Sequence, residues 1–78
     1  MGKDYIENIM DLAVEKEPIE LYKVLKLSNL VQSGGEAKFV IAERLVYVDG
    51  QAETRKRKKI FSDNIVGFEG NEIRIILK

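Results

Sequence analysis

The sequence contains no cysteine, no histidine and no tryptophan, and only one proline. Without cysteine it cannot form disulfides, thiolate metal sites or thiol nucleophiles. Without histidine it lacks the side chain that most often transfers protons near neutral pH. Its carboxylates are scattered along the chain rather than clustered. The composition therefore predicts a protein that is not an enzyme, binds no metal and uses no cofactor or small-molecule substrate.

Long apolar runs are also missing. The longest is "FVIA", Phe39–Ala42, far short of the ~20 residues that span a bilayer. The first residues, "MGKDYIENIMDLAVEKEP", carry scattered acids and no apolar core of a signal peptide. We therefore expect a soluble, cytoplasmic protein. A chain of 78 residues suffices for one small domain, predicted over residues 1–78 with residues 1–8 as a flexible N-terminal extension.

Two helices are predicted in the first half of the chain, after a segment whose pattern fits either a strand or a helix and favours a strand over residues 9–15. "PIELYKVLKL" predicts a helix over residues 18–27, because proline suits the first helical position. Ser33 and Glu36 have the spacing of a capping box and predict a second helix over residues 34–43. The helical residues predicted to face the core are Ile19, Leu21, Tyr22, Leu25, Ala37, Val40 and Ile41.

The second half predicts an antiparallel meander. Asp49-Gly50 is a strong hairpin signal, because both residues tolerate positive φ, and the strand before it would expose Tyr47. Two more strands are predicted around a Gly70-Asn71 turn. Other apolar residues predicted to be buried are Phe39, Val46, Val48, Phe61, Phe68, Ile73, Ile75 and Leu77. One strand, two helices and a meander make an α+β fold.

Charge is unevenly distributed in a chain whose net charge is zero. Residues 23–59 carry nine cations and four carboxylates, whereas residues 1–22 carry two cations and six carboxylates. Five cations are consecutive, from Arg55 to Lys59, in the stretch "ETRKRKKI". Because an unpaired buried charge is very costly, this run must lie in an exposed loop or hairpin end.

The basic run has two interpretations. Lysines on an exposed sheet edge prevent aggregation, but one or two would suffice. Five cations in sequence favour an anionic partner, which would relieve their repulsion and release counterions. A membrane surface is a weaker candidate, because no amphipathic basic helix accompanies the run.

The stretch "SGGE" also has two interpretations. Its glycines, Gly34 and Gly35, allow either a close crossing of the two helices or the approach of a phosphate to the helix N-terminus, and the pattern favours the first. Lys38, off the apolar face of the second helix, is a candidate second phosphate contact.

Three short motifs together resemble those of the RNA-binding domain named after the S-four protein of the small ribosomal subunit: "VQSGGEAK", "VYVDG" and "ETRKRKK". The resemblance is to the small stand-alone bacterial branch of that family, and it extends over residues 9–78. The resemblance implies an αL-motif fold, in which two short helices pack on a small, largely antiparallel twisted sheet. It also implies a strand at residues 9–15 and RNA contacts from Lys38 and Arg55–Lys59. The residues matching the family's helix-opening motif are Ser33, Gly34, Gly35, Glu36, Ala37 and Lys38.

The chain departs from this family at four places. Glu20-Leu21-Tyr22 stands where many members have Arg-Leu-Asp, which removes an RNA contact, and Ser33-Gly34 stands where Ser-Arg is frequent. Arg44 replaces a glycine that usually closes the second helix, so either the turn differs or Arg44 is kept for its charge. Asp63-Asn64 replaces a Gly-Asp turn.

The predicted function is non-catalytic binding of structured RNA, either ribosomal or transfer RNA, by a ribosome-associated monomer that uses phosphate and shape contacts. The predicted RNA-binding residues are Lys38, Arg44, Tyr47, Arg55, Lys56, Arg57, Lys58 and Lys59. Two alternatives remain open: a protein-interaction module that docks its basic segment on an acidic partner protein, and an accessory domain that delivers RNA to an enzyme on another chain.

Overall fold

The structure, a computed structural model, describes residues 8–78. The elements follow the chain as β1 (Asn8–Val14), β2 (Ile19–Glu20), α1 (Leu21–Leu27), α2 (Gly34–Ala42), β3 (Val46–Val48), β4 (Gln51–Ala52), β5 (Lys59–Ile60), β6 (Ile65–Phe68) and β7 (Asn71–Leu77). The expected N-terminal extension, residues 1–8, lies outside the described residues except for Asn8, which begins β1.

The strands form two sheets. The larger has the order β1-β7-β6-β3-β4, with β1 parallel to β7 and every other neighbouring pair antiparallel. The smaller is the antiparallel pair of β2 and β5, which aligns Ile19 with Ile60 and Glu20 with Lys59. The predicted α+β order, with a strand at the start of the described chain, is confirmed.

One hydrophobic core lies between the two helices and one face of the larger sheet. Side chains alternate along each strand, so Ile73 and Ile75 face the helices while Arg74 is exposed. The fully buried side chains are Leu21, Val24, Leu25, Ala37, Ile41, Val46, Ile60, Val66, Ile73 and Ile75. On the opposite face no helix of the described chain covers the sheet, and Tyr47 is 45% exposed there.

Both helices end in the same way, with a residue in the left-handed region. After α1 this residue is Asn29, at φ 63°, and after α2 it is Arg44, at φ 65°. The Arg44 N–H donates to the Ile41 carbonyl at 3.0 Å, and the Leu45 N–H donates to the Val40 carbonyl at 3.1 Å. These are the two hydrogen bonds of a Schellman motif, which usually has glycine in this position. Of the two possibilities raised by the sequence, the turn does not differ: Arg44 adopts the left-handed conformation that glycine usually has at this position.

The predicted first helix begins too early. Ile19 and Glu20 form a strand with β5 instead, so α1 starts at Leu21 and Pro18 lies outside it. The last hairpin also turns one residue earlier than predicted, at Glu69-Gly70, because Phe68 pairs with Asn71 and both turn residues have positive φ. Long-range pairing with β5 decided the first boundary, and the register of the local hairpin of β6 and β7 decided the second.

Three apolar residues predicted to be buried are exposed. Phe39 is 61% exposed, because it lies on the opposite side of α2 from Ala37, Val40 and Ile41. Phe61 is 47% exposed, because it follows the buried Ile60 and alternation turns it outward. Leu77 is exposed at the end of β7, beyond the residues that pair with β6. The prediction was correct for Phe68, Val46, Ile73 and Ile75, and Val48 is half-buried.

Candidate nucleic-acid interface

The basic segment, Arg55–Lys59, runs from the loop after β4 into β5. Lys58 is half-buried and its four neighbours are exposed, as the sequence predicts for a run of cations. Two sheet contacts hold the ends of this loop. The Glu53 N–H donates to the Val46 carbonyl at 2.9 Å, and Lys59 pairs with Glu20 in the smaller sheet.

The backbone of the basic segment caps α1. The Leu21 N–H donates to the Lys58 carbonyl at 2.9 Å, and the Tyr22 N–H donates to the Lys56 carbonyl at 3.1 Å. These N–H groups belong to the first helical turn, which has no acceptors within the helix, and the Glu20 side chain makes no capping bond. The loop carbonyls therefore turn toward the helix.

Arg55 forms a two-pronged ion pair with Glu53. Its Nε lies 2.9 Å from Oε2 and its Nη2 lies 3.1 Å from Oε1, while the Arg55 backbone N–H also donates to Oε2 at 2.9 Å. The side-chain hydrogen bond from Arg55 lowers the pKa of the Glu53 carboxyl from 4.5 to about 2, although partial burial opposes this. Glu53 thus fixes both the backbone and the side chain of the first residue of the basic segment.

The pKa of the Glu53 carboxyl provides a test of the ion pair between Glu53 and Arg55. Because the pKa is lower in the folded state than the ordinary 4.5, the pair stabilises the protein fully above about pH 4.5, and this contribution is lost as the pH falls toward 2. We expect the carboxyl carbon resonance of Glu53 to titrate with a midpoint near 2. In an Arg55→Gln variant the midpoint should rise toward 4.5, and a wild-type midpoint near 4.5 would contradict the pairing.

Arg57 is held more loosely. Its Nη1 lies 3.3 Å from Oε1 and 3.4 Å from Oε2 of Glu20, which is 37 residues away in sequence. Its guanidinium carbon also lies 5.8 Å from the centre of the Tyr22 ring, and Lys38 Nζ lies 4.9 Å from the same centre. Tyr22 therefore brings the cation of α2 next to the basic segment through cation–π contacts.

Grooves beside the basic segment show which predicted residues come together. One, of about 410 Å³, is lined by Lys38, Ala42, Thr54, Arg55, Lys56 and Arg57. Another, of about 500 Å³, is lined by Arg55, Arg57, Lys58 and Lys59. The two share Arg55 and Arg57, so six of the eight predicted RNA-binding residues form one cationic surface.

The other two predicted residues lie apart from this surface. Arg44 is exposed at the end of α2, and Tyr47 lies on the open face of the larger sheet, aligned with Ala52 and Gly67. Neither lines the two grooves described above, nor a third that contains Arg55, Lys58 and Lys59. Three residues of the site were not predicted. The roles of Glu20 and Tyr22 depend on contacts between elements that are distant in sequence. Glu53 is only two residues from Arg55, so its position next to the basic segment was a signal that the sequence already contained.

The helix-opening motif has its predicted cap with one difference. Ser33 Oγ accepts from the Glu36 N–H at 3.1 Å, but the Glu36 carboxylate accepts from the Gln32 N–H, at 2.8 Å, rather than from Ser33. The glycines are not required by a close helix crossing. A Cβ on Gly34 would meet only Lys26 Cδ, at 3.7 Å, and one on Gly35 only Ser33 Oγ, at 3.8 Å.

The sequence profile of the S4 domain matches residues 12–76, most of the chain. The protein belongs to the S4 domain family. This is the S-four family indicated by the sequence motifs. Two curated relatives are similar to it. "Putative RNA-binding protein YbcJ" of Escherichia coli (strain K12) is 45% identical over 58 residues, which cover 74% of this chain and 83% of YbcJ. "Probable ribosome maturation protein RlbA" of Bacillus subtilis (strain 168) is 34% identical over 59 residues, covering 76% and 83%.

A solved structure supports the same assignment for this S4 domain. The solution structure of Escherichia coli YbcJ superposes with a TM-score of 0.64 and 36% identity, covering 97% of this chain and 95% of that one. Its description reports an αL motif involved in RNA binding. The predicted αL-motif fold, two helices on a mostly antiparallel sheet, is confirmed. No helix in residues 8–78 is long and apolar enough to cross a membrane.

Proposed function

We propose that this S4 domain binds structured RNA, ribosomal or transfer RNA, through phosphate and shape contacts. The observation that carries the proposal is the single cationic surface formed by Lys38 and Arg55–Lys59 on a chain of zero net charge. Each phosphate neutralised there releases counterions, which is the main source of affinity for nucleic acids. The names of the two relatives, one for RNA binding and one for ribosome maturation, support the same partner.

Recognition of shape fits the surface better than stacking of single-stranded bases. A stacking platform needs several exposed aromatic rings in one groove. Here Tyr22 is half-buried beneath two cations, and Tyr47 lies on the open face of the larger sheet. Phe61 is exposed in a groove with Arg55, Lys58 and Lys59, but one ring does not make a stacking platform. The cations instead extend from a backbone that hydrogen bonds fix to α1. Such a fixed set of cations can match the regularly spaced phosphates of an RNA stem. The proposed role is that of a cytoplasmic, ribosome-associated monomer without catalytic activity.

The test is binding to a stem-loop fragment of ribosomal RNA between 50 and 200 mM salt. Four cations of the surface, Lys38, Lys56, Lys58 and Lys59, make no ion pair within residues 8–78. If they neutralise four phosphates, affinity should fall by about two orders of magnitude over this range. A basic segment that docks on an acidic protein instead would show no binding to the stem-loop. An enzyme that still co-purifies with this protein from a nuclease-treated lysate would indicate the accessory role, in which the domain delivers RNA to that enzyme.

A further inference from the structure

A carboxylate lies inside the cationic surface. Glu20 is the last residue of β2, and its side chain is 32% exposed, with Arg57 Nη1 3.3 Å from one of its oxygens. Lys59 lies opposite Glu20 in the smaller sheet. A negative charge here occupies a guanidinium that a phosphate would otherwise bind.

We propose that Glu20 determines specificity by competing with phosphate for Arg57. The proposal rests on the RNA-binding function proposed above and names the residue that limits it. In the free protein Glu20 neutralises Arg57. An RNA that places a phosphate beside Tyr22 takes over Arg57, whereas a polyanion with no anionic group fixed at that position leaves Arg57 paired with Glu20 and is repelled by Glu20.

The two arginine pairs differ in the way this exchange requires. Arg55 presents two nitrogens to the two oxygens of Glu53, at 2.9 and 3.1 Å, and Glu53 is only 13% exposed. Arg57 uses one nitrogen at longer distances, and both members of its pair are accessible to solvent. Exposed pairs with such geometry contribute little to stability. Glu53 therefore fixes the loop, and Glu20 can be displaced.

Glu20 is not needed to cap α1. Its side chain makes no capping hydrogen bond, and the loop carbonyls accept the Leu21 and Tyr22 N–H groups. Replacement by glutamine keeps the length and polarity of the side chain and removes only its charge. Such a variant should fold like the wild type while freeing Arg57.

The chain offers a matched control. Asp11 lies 3.4 Å from Arg74 Nε on the exposed side of β1 and β7, in a single ion pair of similar length to that of Glu20 and Arg57, although the Asp11 side chain is 55% exposed and that of Glu20 32%. Asp11→Asn changes the net charge by the same amount and also frees an arginine, but Arg74 does not line either groove of the basic segment. A difference in affinity between the two variants therefore reflects the position of the carboxylate that was removed, not the change in net charge.

The experiment compares wild type, Glu20→Gln and Asp11→Asn for binding to heparin and to the ribosomal RNA stem-loop at 100 mM salt. One additional available cation should strengthen heparin binding about five- to tenfold and steepen the salt dependence by roughly 0.7–0.9. We expect this gain for Glu20→Gln on heparin, a smaller gain on the stem-loop, and little change for Asp11→Asn. Circular dichroism and the thermal midpoint should show the same fold in all three.

If Glu20→Gln gained as much affinity for the stem-loop as for heparin, the proposal that Glu20 determines specificity would be overturned. Equal behaviour of Glu20→Gln and Asp11→Asn, with the wild type still binding the stem-loop steeply, would overturn the role of Glu20 and leave the RNA-binding function intact. If the wild type did not bind the stem-loop at any salt concentration, the RNA-binding function would be overturned, and with it the proposed role of Glu20 in specificity.

Discussion

Replacing Lys56, Lys58 and Lys59 together with glutamine is expected to weaken binding to the stem-loop by about two to three orders of magnitude at 100 mM salt. Each lysine that neutralises a phosphate contributes roughly 0.7–0.9 to the salt slope, so the slope should also fall by about two to three. Both quantities are read from binding isotherms at several salt concentrations. A loss of affinity without a loss of slope would show that these lysines do not contact phosphates.

The triple variant should keep its fold. The α1 cap uses the backbone carbonyls of Lys56 and Lys58, which the substitutions leave in place. The three lysine side chains make no ion pair within the described residues, 8–78. The control changes Lys16, Lys26 and Arg74 to glutamine, which lowers the net charge equally outside the basic segment. If the control loses as much affinity, net charge rather than the basic segment drives binding.

The largest effect on stability is expected for Ile60→Ala. Ile60 is fully buried directly after the basic segment, and it aligns with Ile19 across the smaller sheet. Truncation of a buried isoleucine to alanine costs about 2–5 kcal/mol, because a cavity remains. A domain of this size has a free energy of unfolding of only about 4–12 kcal/mol. Denaturant unfolding should therefore show loss of a large part of the stability, with the thermal midpoint lowered by more than about 8 °C.

Ile9→Ala is the matched control for this prediction. It removes the same atoms from a strand residue that is 75% exposed, so stability should change by less than about 0.5 kcal/mol. Ile60→Val, which leaves a smaller cavity, should lie between the two, with a cost of about 0.5–1.5 kcal/mol. An Ile60→Ala variant as stable as Ile9→Ala would mean that the end of the basic segment is not anchored in the core.

The sequence was sufficient where short-range chemistry decides the structure. The Ser33 cap of α2 and the Asp49-Gly50 hairpin need only neighbouring residues, and both are present where predicted. It failed where distant segments meet, because nothing near Ile19 signals its pairing with Ile60. The error at Phe39 had a different cause: the residue was assigned to the core by its type, although helical spacing already places it opposite Val40 and Ile41.

The same distinction applies to the candidate site. Five cations in sequence must be exposed, so their placement followed from the sequence. Lys38 was a candidate from its position off the apolar face of the second helix, and the family resemblance then implied the same role. The sequence could not show that Arg57 would meet Glu20, because 37 residues separate them. Nor could it show that Tyr22, expected to pack inward, would contact two cations with its ring. These contacts depend on the joint position of β2, α1 and α2.

The parallel pairing of β1 with β7 has a consequence for how the protein is made. Residues 8–14 come first among the described residues, and their partners, residues 71–77, come almost last. On a ribosome, the first strand therefore emerges long before the strand it joins and keeps its apolar face exposed in the meantime. Such distant pairing also slows folding. The larger sheet can be completed only after residue 77 has left the ribosome, so we expect β1 to stay unpaired with β7 until that point.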